Sequence, residues 1–182
     1  MGYNFVYRSI YGGSMRLMLL MLCLLLSLSG CSSIVYESGL KKRDNAMERR
    51  IVELINEARA KARKCGSKYY KPAKPLVWND MLGQAALKHS LDMAQNGFLS
   101  HKGSDNSSPG DRITKTGYRW LIYGEDVGQG YRTPEEAVDG WLKSEIHCKN
   151  IMNPEFREAG SAYAKSSSLR IYWTIVFGTQ RQ

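Results

Sequence analysis

Apolar residues recur at helical spacing in AMERRIVELINEARAKARK (residues 46–64). Met47, Ile51, Leu54, Ile55, Ala58 and Ala62 fall on one stripe, with Arg and Lys on the other face, which predicts an amphipathic helix. A membrane-surface helix shares this signature, but a core-facing helix with a solvated basic face accounts for it too. The two prolines of KYYKPAKPL predict an extended connector. Asn79 or Asp80 then caps a second helix, MLGQAALKHSLDMAQN, which stops at Gly97. Residues 99–111 are loop by composition, and DRITKTG is a short helical turn ended by Gly117. The aromatic and β-branched run YRWLIYGEDVGQGY predicts a strand with a kink or bulge at Gly124-Glu125. Thr133 caps the next helix, Pro134 takes its first turn and Glu136 closes a capping box; the helix EEAVDGWLKS ends near a turn carrying His147. EAGSAYAK and LRIYWTIVFG flank a polar Lys165–Ser168 turn and predict an antiparallel hairpin. Helices first, then strands with a helix between, argue for an α+β layered domain and against a doubly wound sheet.

Residues 1–30 follow another logic. Their only charges are Arg8 and Arg16, and the apolar run Leu17–Leu26 is half the ~20 residues that a membrane span requires. A positive start, a short apolar run and small residues before a cut site make a secretory signal. The ending Leu28-Ser29-Gly30-Cys31 resembles the lipobox of bacterial lipoproteins, in which the cysteine becomes the lipid-modified N-terminus. Ser32, in place of Asp, resembles the outer-membrane sorting pattern of Gram-negative cells. The alternative is an uncleaved signal anchor with Cys31 unmodified, and Met15 is an alternative start. Each buried methylene contributes ~0.8 kcal/mol, and two or more acyl chains anchor stably where one does not. The expected partition is a signal peptide over 1–30, a lipidated tether over 31–45 and one domain over 46–182.

The chain has 182 residues, 43% hydrophobic and 24% charged, which excludes collagen-like and disordered classes. Removing residues 1–30 takes away two cations and lowers the formal charge from +9 to +7. A basic exported chain suits anionic envelope partners such as lipid headgroups, lipopolysaccharide or wall polymers. Trp78, Trp120, Trp141 and Trp173 do not interleave with basic residues as single-strand nucleic-acid platforms do, so no nucleic-acid partner is expected. No Gly-rich phosphate loop, C-x-x-C pair or H-E-x-x-H helix occurs. Cys23 lies in the signal and Cys31 at the lipid site, leaving Cys65 and Cys148. Export permits a disulfide between them; the alternative is a Cys148 thiol activated by His147.

Three histidines exist: His89 within the second helix, His101 at the start of a Gly/Ser-rich loop, and His147. His89 reads as a hydrogen-bonded packing residue. Glu125 sits inside an otherwise apolar strand, where a carboxylate must face a cavity or find a partner. The separations of 24 and 22 residues between His101, Glu125 and His147 match no metal motif.

The ordered pieces VELINEARAKARKCG, KPLVWNDMLGQAALKHSLDMAQNGFLSH, SSPGDRITKTGY, YGEDVGQG, TPEEAVDGWLKSEIHCKNIMNP and FREAGSAYAK…YWTIVFG resemble the bacterial branch of the CAP superfamily. This is the SCP domain of cysteine-rich secretory proteins, antigen 5 and pathogenesis-related proteins. The resemblance implies a three-layer α-β-α sandwich with a cleft holding two histidines and acidic residues. His101 and His147 match the histidines, and Glu125 matches the glutamate of a Gly-Glu-Asn motif whose asparagine is here Asp126. The family's second acid falls at Ser144, beside Glu145. The resemblance also supports a Cys65–Cys148 bond, and it implies zinc or another divalent ion on His101, His147 and Glu125. Two functions stay open. One is an envelope module whose cleft binds a small apolar or metal-linked ligand, an envelope polymer or a partner protein. The other is a peptide or lipid-ester hydrolase, in which His101, Glu125, Glu145 and His147 are the candidate catalytic groups.

Overall fold

The computed structural model describes residues 46–181. The signal peptide, the Cys31 lipid site and the tether expected from the sequence lie outside the described residues. Among the described residues no helix is long and apolar enough to cross a membrane.

Helix α1 covers 46–59 and buries Ile51 and Ile55 completely. Its inward stripe is wider than the periodicity predicts. Arg59, assigned by pattern to the solvated face, is fully buried. Its guanidinium donates to the carbonyls of Lys74, Ile151, Asn153 and Phe156. Burial lowers its pKa to about 10. The helix was expected to reach Lys64 but ends at 59, and the chain returns as a small antiparallel hairpin, β1 (Arg63–Cys65) with β2 (Lys68–Tyr70). Two constraints invisible to periodicity favour the turn. Gly66 has φ +59°, a conformation glycine adopts without a Cβ penalty. Cys65 is bonded to Cys148, with their Cα atoms 5.5 Å apart. The extended connector therefore starts after Tyr70.

Strand β3 (Val77–Trp78) leads into helix α2 (Asp80–Asn96). Asn79 caps it, its side chain accepting from the Met81 and Leu82 amides, and left-handed Gly97 closes it by donating to the Met93 carbonyl. Ser108 opens helix α3 (Pro109–Lys115) through a full capping box with Asp111, so part of the expected loop is helical. Strand β4 (Trp120–Gln129) follows. Its irregularity lies between Trp120 and Ile122; at Gly124-Glu125 the ladder is regular. Gly124 is needed for closeness, since a Cβ there would lie 2.7 Å from the Phe156 ring. Thr133 caps helix α4 (Pro134–Lys143). The Glu136 carboxylate reaches past Thr133 to the Arg132 amide at 2.8 Å, which displaces the expected box by one residue. Extended Ser144 breaks the helix, and a new one, α5 (Glu145–Ile151), begins at once. His147 is therefore helical, not on a turn. Strands β5 (Glu158–Lys165) and β6 (Ile171–Gln180) form the expected hairpin.

The strands order as β3-β5-β6-β4, antiparallel except for β3 beside β5, with β4 at one edge. Period-two alternation along β6 sends Trp173, Ile175 and Phe177 into a core shared with α1, α4 and α5. Tyr172 and Val176 belong to the clusters on the α2 side. These two faces give the α-β-α sandwich. Gly160 of β5 lets α2 approach closely, because a Cβ there would fall 2.1 Å from the Gly83 amide nitrogen. Trp141 and Trp173 are at most 1% exposed, and truncating either to alanine costs about 3–5 kcal/mol.

Candidate functional site

Strand alternation places the neighbours Glu125 and Asp126 on opposite faces of β4. Glu125 points toward α2 and α3, and its side chain is 2% exposed. A carboxylate so buried requires donors. Arg112 of α3 donates to Oε2 at 2.7 Å, and His101 donates from Nδ1 to Oε1 at 2.9 Å. Arg112 is itself 2% exposed and also donates to the carbonyls of His101 and Ser107, both at 3.0 Å. One guanidinium thus joins α3, the loop carrying His101 and the edge strand. The His101 side chain is 53% exposed. With its Nδ1–H fixed on Glu125, neutral His101 turns the Nε2 lone pair away from the carboxylate.

His89 of α2 approaches the same carboxylate, with Nε2 3.9 Å from Oε1. Its Nε2 lies 2.6 Å from the Ser100 carbonyl, which only accepts, so Nε2 carries the proton. The Nδ1 atom is buried and finds no partner among the described residues. Burial lowers the His89 pKa, and the attraction of Glu125 opposes this only in part. His89 is thus a neutral strut beneath the loop of His101.

On the other face, Asp126 is fully buried. Asn150 of α5 donates to its Oδ1 at 2.7 Å and, at 3.4 Å, to the Glu125 carbonyl. Among the described residues Asp126 Oδ2 has no partner, and burial pushes the pKa well above the usual carboxylate range. His147 precedes Asn150 by one helical turn. Burial lowers its pKa, and nearby His101 lowers it further. His101 and Glu125 therefore meet at the edge strand, and His147 lies near enough to His101 to feel its charge. Glu145 does not join them. It pairs with Lys149, and its carboxyl group abuts Gly66.

Chain order, the sandwich and the His101–Glu125 pair at its edge can now be set against known proteins. The profile of the cysteine-rich secretory protein family (CAP) matches residues 52–177. The chain belongs to that family. It is 35% identical over 133 residues to the protein YkwD of Bacillus subtilis (strain 168), covering 73% of this chain and 47% of YkwD. A Bacillus anthracis extracellular protein with an SCP domain superposes with a TM-score of 0.66 at 25% identity, covering 77% of this chain and 42% of that one. An outer surface protein of Borrelia burgdorferi shares the fold, with a TM-score of 0.59 and 19% identity over 73% of this chain and 89% of its own. The chain thus spans about half the length of YkwD and less than half of the B. anthracis protein.

In this CAP domain the metal expectation meets an obstacle. Among the described residues no group of three or more His, Cys, Asp or Glu side chains is placed to hold a metal ion. Both Glu125 oxygens are engaged, one by Arg112 and one by His101. The three-ligand set of His101, His147 and Glu125 is therefore not formed, and no chemical step is routed through a metal. The alternative of a Cys148 thiol nucleophile falls, because that sulfur is in the disulfide. Sequence reasoning missed two members of the site, Arg112 and Asn150, neither of which carried a signal, whereas His89 is the hydrogen-bonded packing residue it was read as. The 11-residue step from His89 to Ser100 is a contact that spacing could not reveal.

Proposed function

We propose that this CAP domain is an extracytoplasmic, lipid-anchored binding module that takes its ligand on the Nε2 side of His101. The observation that carries the reading is the pairing of a buried carboxylate with an exposed imidazole. Glu125, compensated by Arg112, fixes the ring, and the free nitrogen can accept a hydroxyl or amide proton from a ligand. His147, disfavoured as a cation by burial and by His101, adds a second imidazole. The extracytoplasmic location is supported by the Cys65–Cys148 bond, by the signal-like N-terminus and by the extracellular B. anthracis relative. The lipid at Cys31 rests on the Leu-Ser-Gly-Cys sequence. A small apolar ligand with one polar group, a wall polymer or a partner protein each meets the requirement.

A second reading, hydrolysis, is favoured by the same pair. A carboxylate that orients a histidine is half of a base-activated nucleophile system. Among the described residues no hydroxyl or thiol hydrogen-bonds to His101, so turnover would use water activated at Nε2. One experiment separates the readings. The chain and its His101→Ala and His147→Ala variants are assayed on ester and peptide libraries, while binding of wall fragments and acyl ligands is followed by histidine NMR. Binding lost in His101→Ala without turnover in the parent supports the module. Turnover lost in both variants supports the hydrolase, and neither binding nor turnover sinks both. Mass spectrometry of membrane-extracted protein, against Cys31→Ser, checks the anchor.

A further inference from the structure

Several cations elsewhere in this domain are paired: Arg50 with Glu53, Glu57 and Glu135, Arg132 with Glu136, Lys143 with Asp139, Lys149 with Glu145. The β1–β2 hairpin and its continuation differ. Residues 61–74 contain Lys61, Arg63, Lys64, Lys68, Lys71 and Lys74 and no acid. All but Arg63 are exposed, and among the described residues none of the six is ion-paired. The register sets Lys64 opposite Tyr69, on the side away from the disulfide-bonded Cys65. Tyr69 is 66% exposed. Lys68 lies over the Tyr70 ring, 4.9 Å from its centroid. Glu145, the acid that abuts the Gly66 turn, is already neutralised by Lys149.

Clustered like charges repel one another unless a partner supplies the opposite sign. We propose that the 61–74 hairpin is a docking surface for an anionic phospholipid bilayer. The charge is complementary to anionic headgroups, and an exposed tyrosine among lysines suits the water–lipid boundary. Lys41, Lys42 and Arg43 add cations just before α1. Cys31 lies 15 residues ahead of the first described residue, so a chain anchored there reaches at most about 50 Å. Only this last point rests on the proposed lipid; the charge argument stands without it. Because Cys65 is bonded to Cys148, next to His147, a docked hairpin also sets the direction in which the His147 helix faces the bilayer.

The test uses the full chain carrying Cys31→Ser, so that no lipid is attached. It is floated with vesicles of phosphatidylcholine alone and of equal parts phosphatidylglycerol and phosphatidylcholine. The apolar N-terminal run contributes alike to both, and the anionic-to-zwitterionic binding ratio isolates charge. Each lysine near an anionic surface contributes about a fivefold preference. Replacing Lys64, Lys68, Lys71 and Lys74 by Gln should therefore lower the ratio by at least about tenfold. Replacing Lys88, Lys102, Lys115 and Lys165 by Gln makes the same change in net charge elsewhere and should leave most of the ratio intact. Circular dichroism verifies that both variants are folded. A ratio near one in the parent overturns the proposal, as does an equal fall in the two variants. Binding of a single-stranded oligonucleotide without binding of the anionic vesicles also overturns it. None of these outcomes depends on whether Cys31 is lipidated or His101 binds a ligand.

Discussion

Replacing Glu125 by Gln probes the centre of the site. The carboxylate accepts from Arg112 at 2.7 Å and from His101 at 2.9 Å, and both it and Arg112 are 2% exposed. Glutamine has the same shape but a single acceptor oxygen. If that oxygen stays on Arg112, the amide nitrogen faces His101 Nδ1, which can answer by switching tautomer. The hydrogen-bond count then survives, but the guanidinium loses its buried counter-charge. A hydrogen bond to a charged group contributes about 1.5–3 kcal/mol, and breaking a buried pair costs about 3–5 kcal/mol. The two carbonyls that still accept from Arg112 place the loss near the lower end, about 3 kcal/mol. Urea unfolding at neutral pH with the disulfide intact should register this as a lower midpoint at unchanged slope, and melting should drop by about 10 °C. The double variant Glu125→Leu/Arg112→Met removes both charges together. It should be less destabilised than the sum of its singles by about 2–3 kcal/mol. A Glu125→Gln protein within about 0.5 kcal/mol of the parent, or strict additivity in the cycle, would refute this account of the pair.

Asp126→Asn should stabilise the domain increasingly as pH rises. The unfolded acid ionises near its ordinary 3.8 while burial keeps the native one protonated, so the parent loses stability above that pH and the variant does not; urea midpoints of both proteins at pH 4 and pH 8 measure the difference. His89→Gln should flatten the acid side between pH 7 and 5: the unfolded imidazole takes up a proton near 6.5 and the native one resists, so parental stability falls as pH drops through that value. Paired Cys65→Ser and Cys148→Ser changes open a loop of 83 residues and should cost about 4–5 kcal/mol in the chain-entropy account, read as equal urea midpoints for the variant and the reduced parent. Arg59→Met strands four carbonyl acceptors, two of them buried, and should cost at least about 3 kcal/mol; calorimetry finding less than about 1 kcal/mol would show that water replaces the guanidinium.

Where local chemistry decides structure, the sequence was sufficient. Asn79 and Gly97 bracket α2 as their capping preferences dictate, and the polar Lys165–Ser168 turn between two strand-forming runs gives the β5–β6 hairpin. Long-range ties decided the rest. Helical periodicity through Lys64 gave way to a hairpin because Cys65 is tethered 83 residues away. Arg59 was drawn inward by carbonyls that come together only at the end of α5. At the site, resemblance singled out His101, Glu125 and His147, and the strand position of Glu125 showed that it needed a donor. It could not show which cation would supply one. Arg112 is one arginine among many until α3 is packed on β4, and Glu145 lies close to His147 in sequence but turns toward Lys149.

The divergence of Glu125 and Asp126 restricts insertions and deletions more tightly than substitutions. A single added or lost residue in the second half of β4 would exchange the two faces. The ionised acid would move beneath Asn150, and Arg112 would be left opposite a shorter side chain. The turn at residues 102–106 is held by other means, Ser104 donating to Asp92 and the Gly103 amide to the Ser107 carbonyl. Any redesign of this domain must therefore keep the residue count from Ile122 to Gln129 fixed.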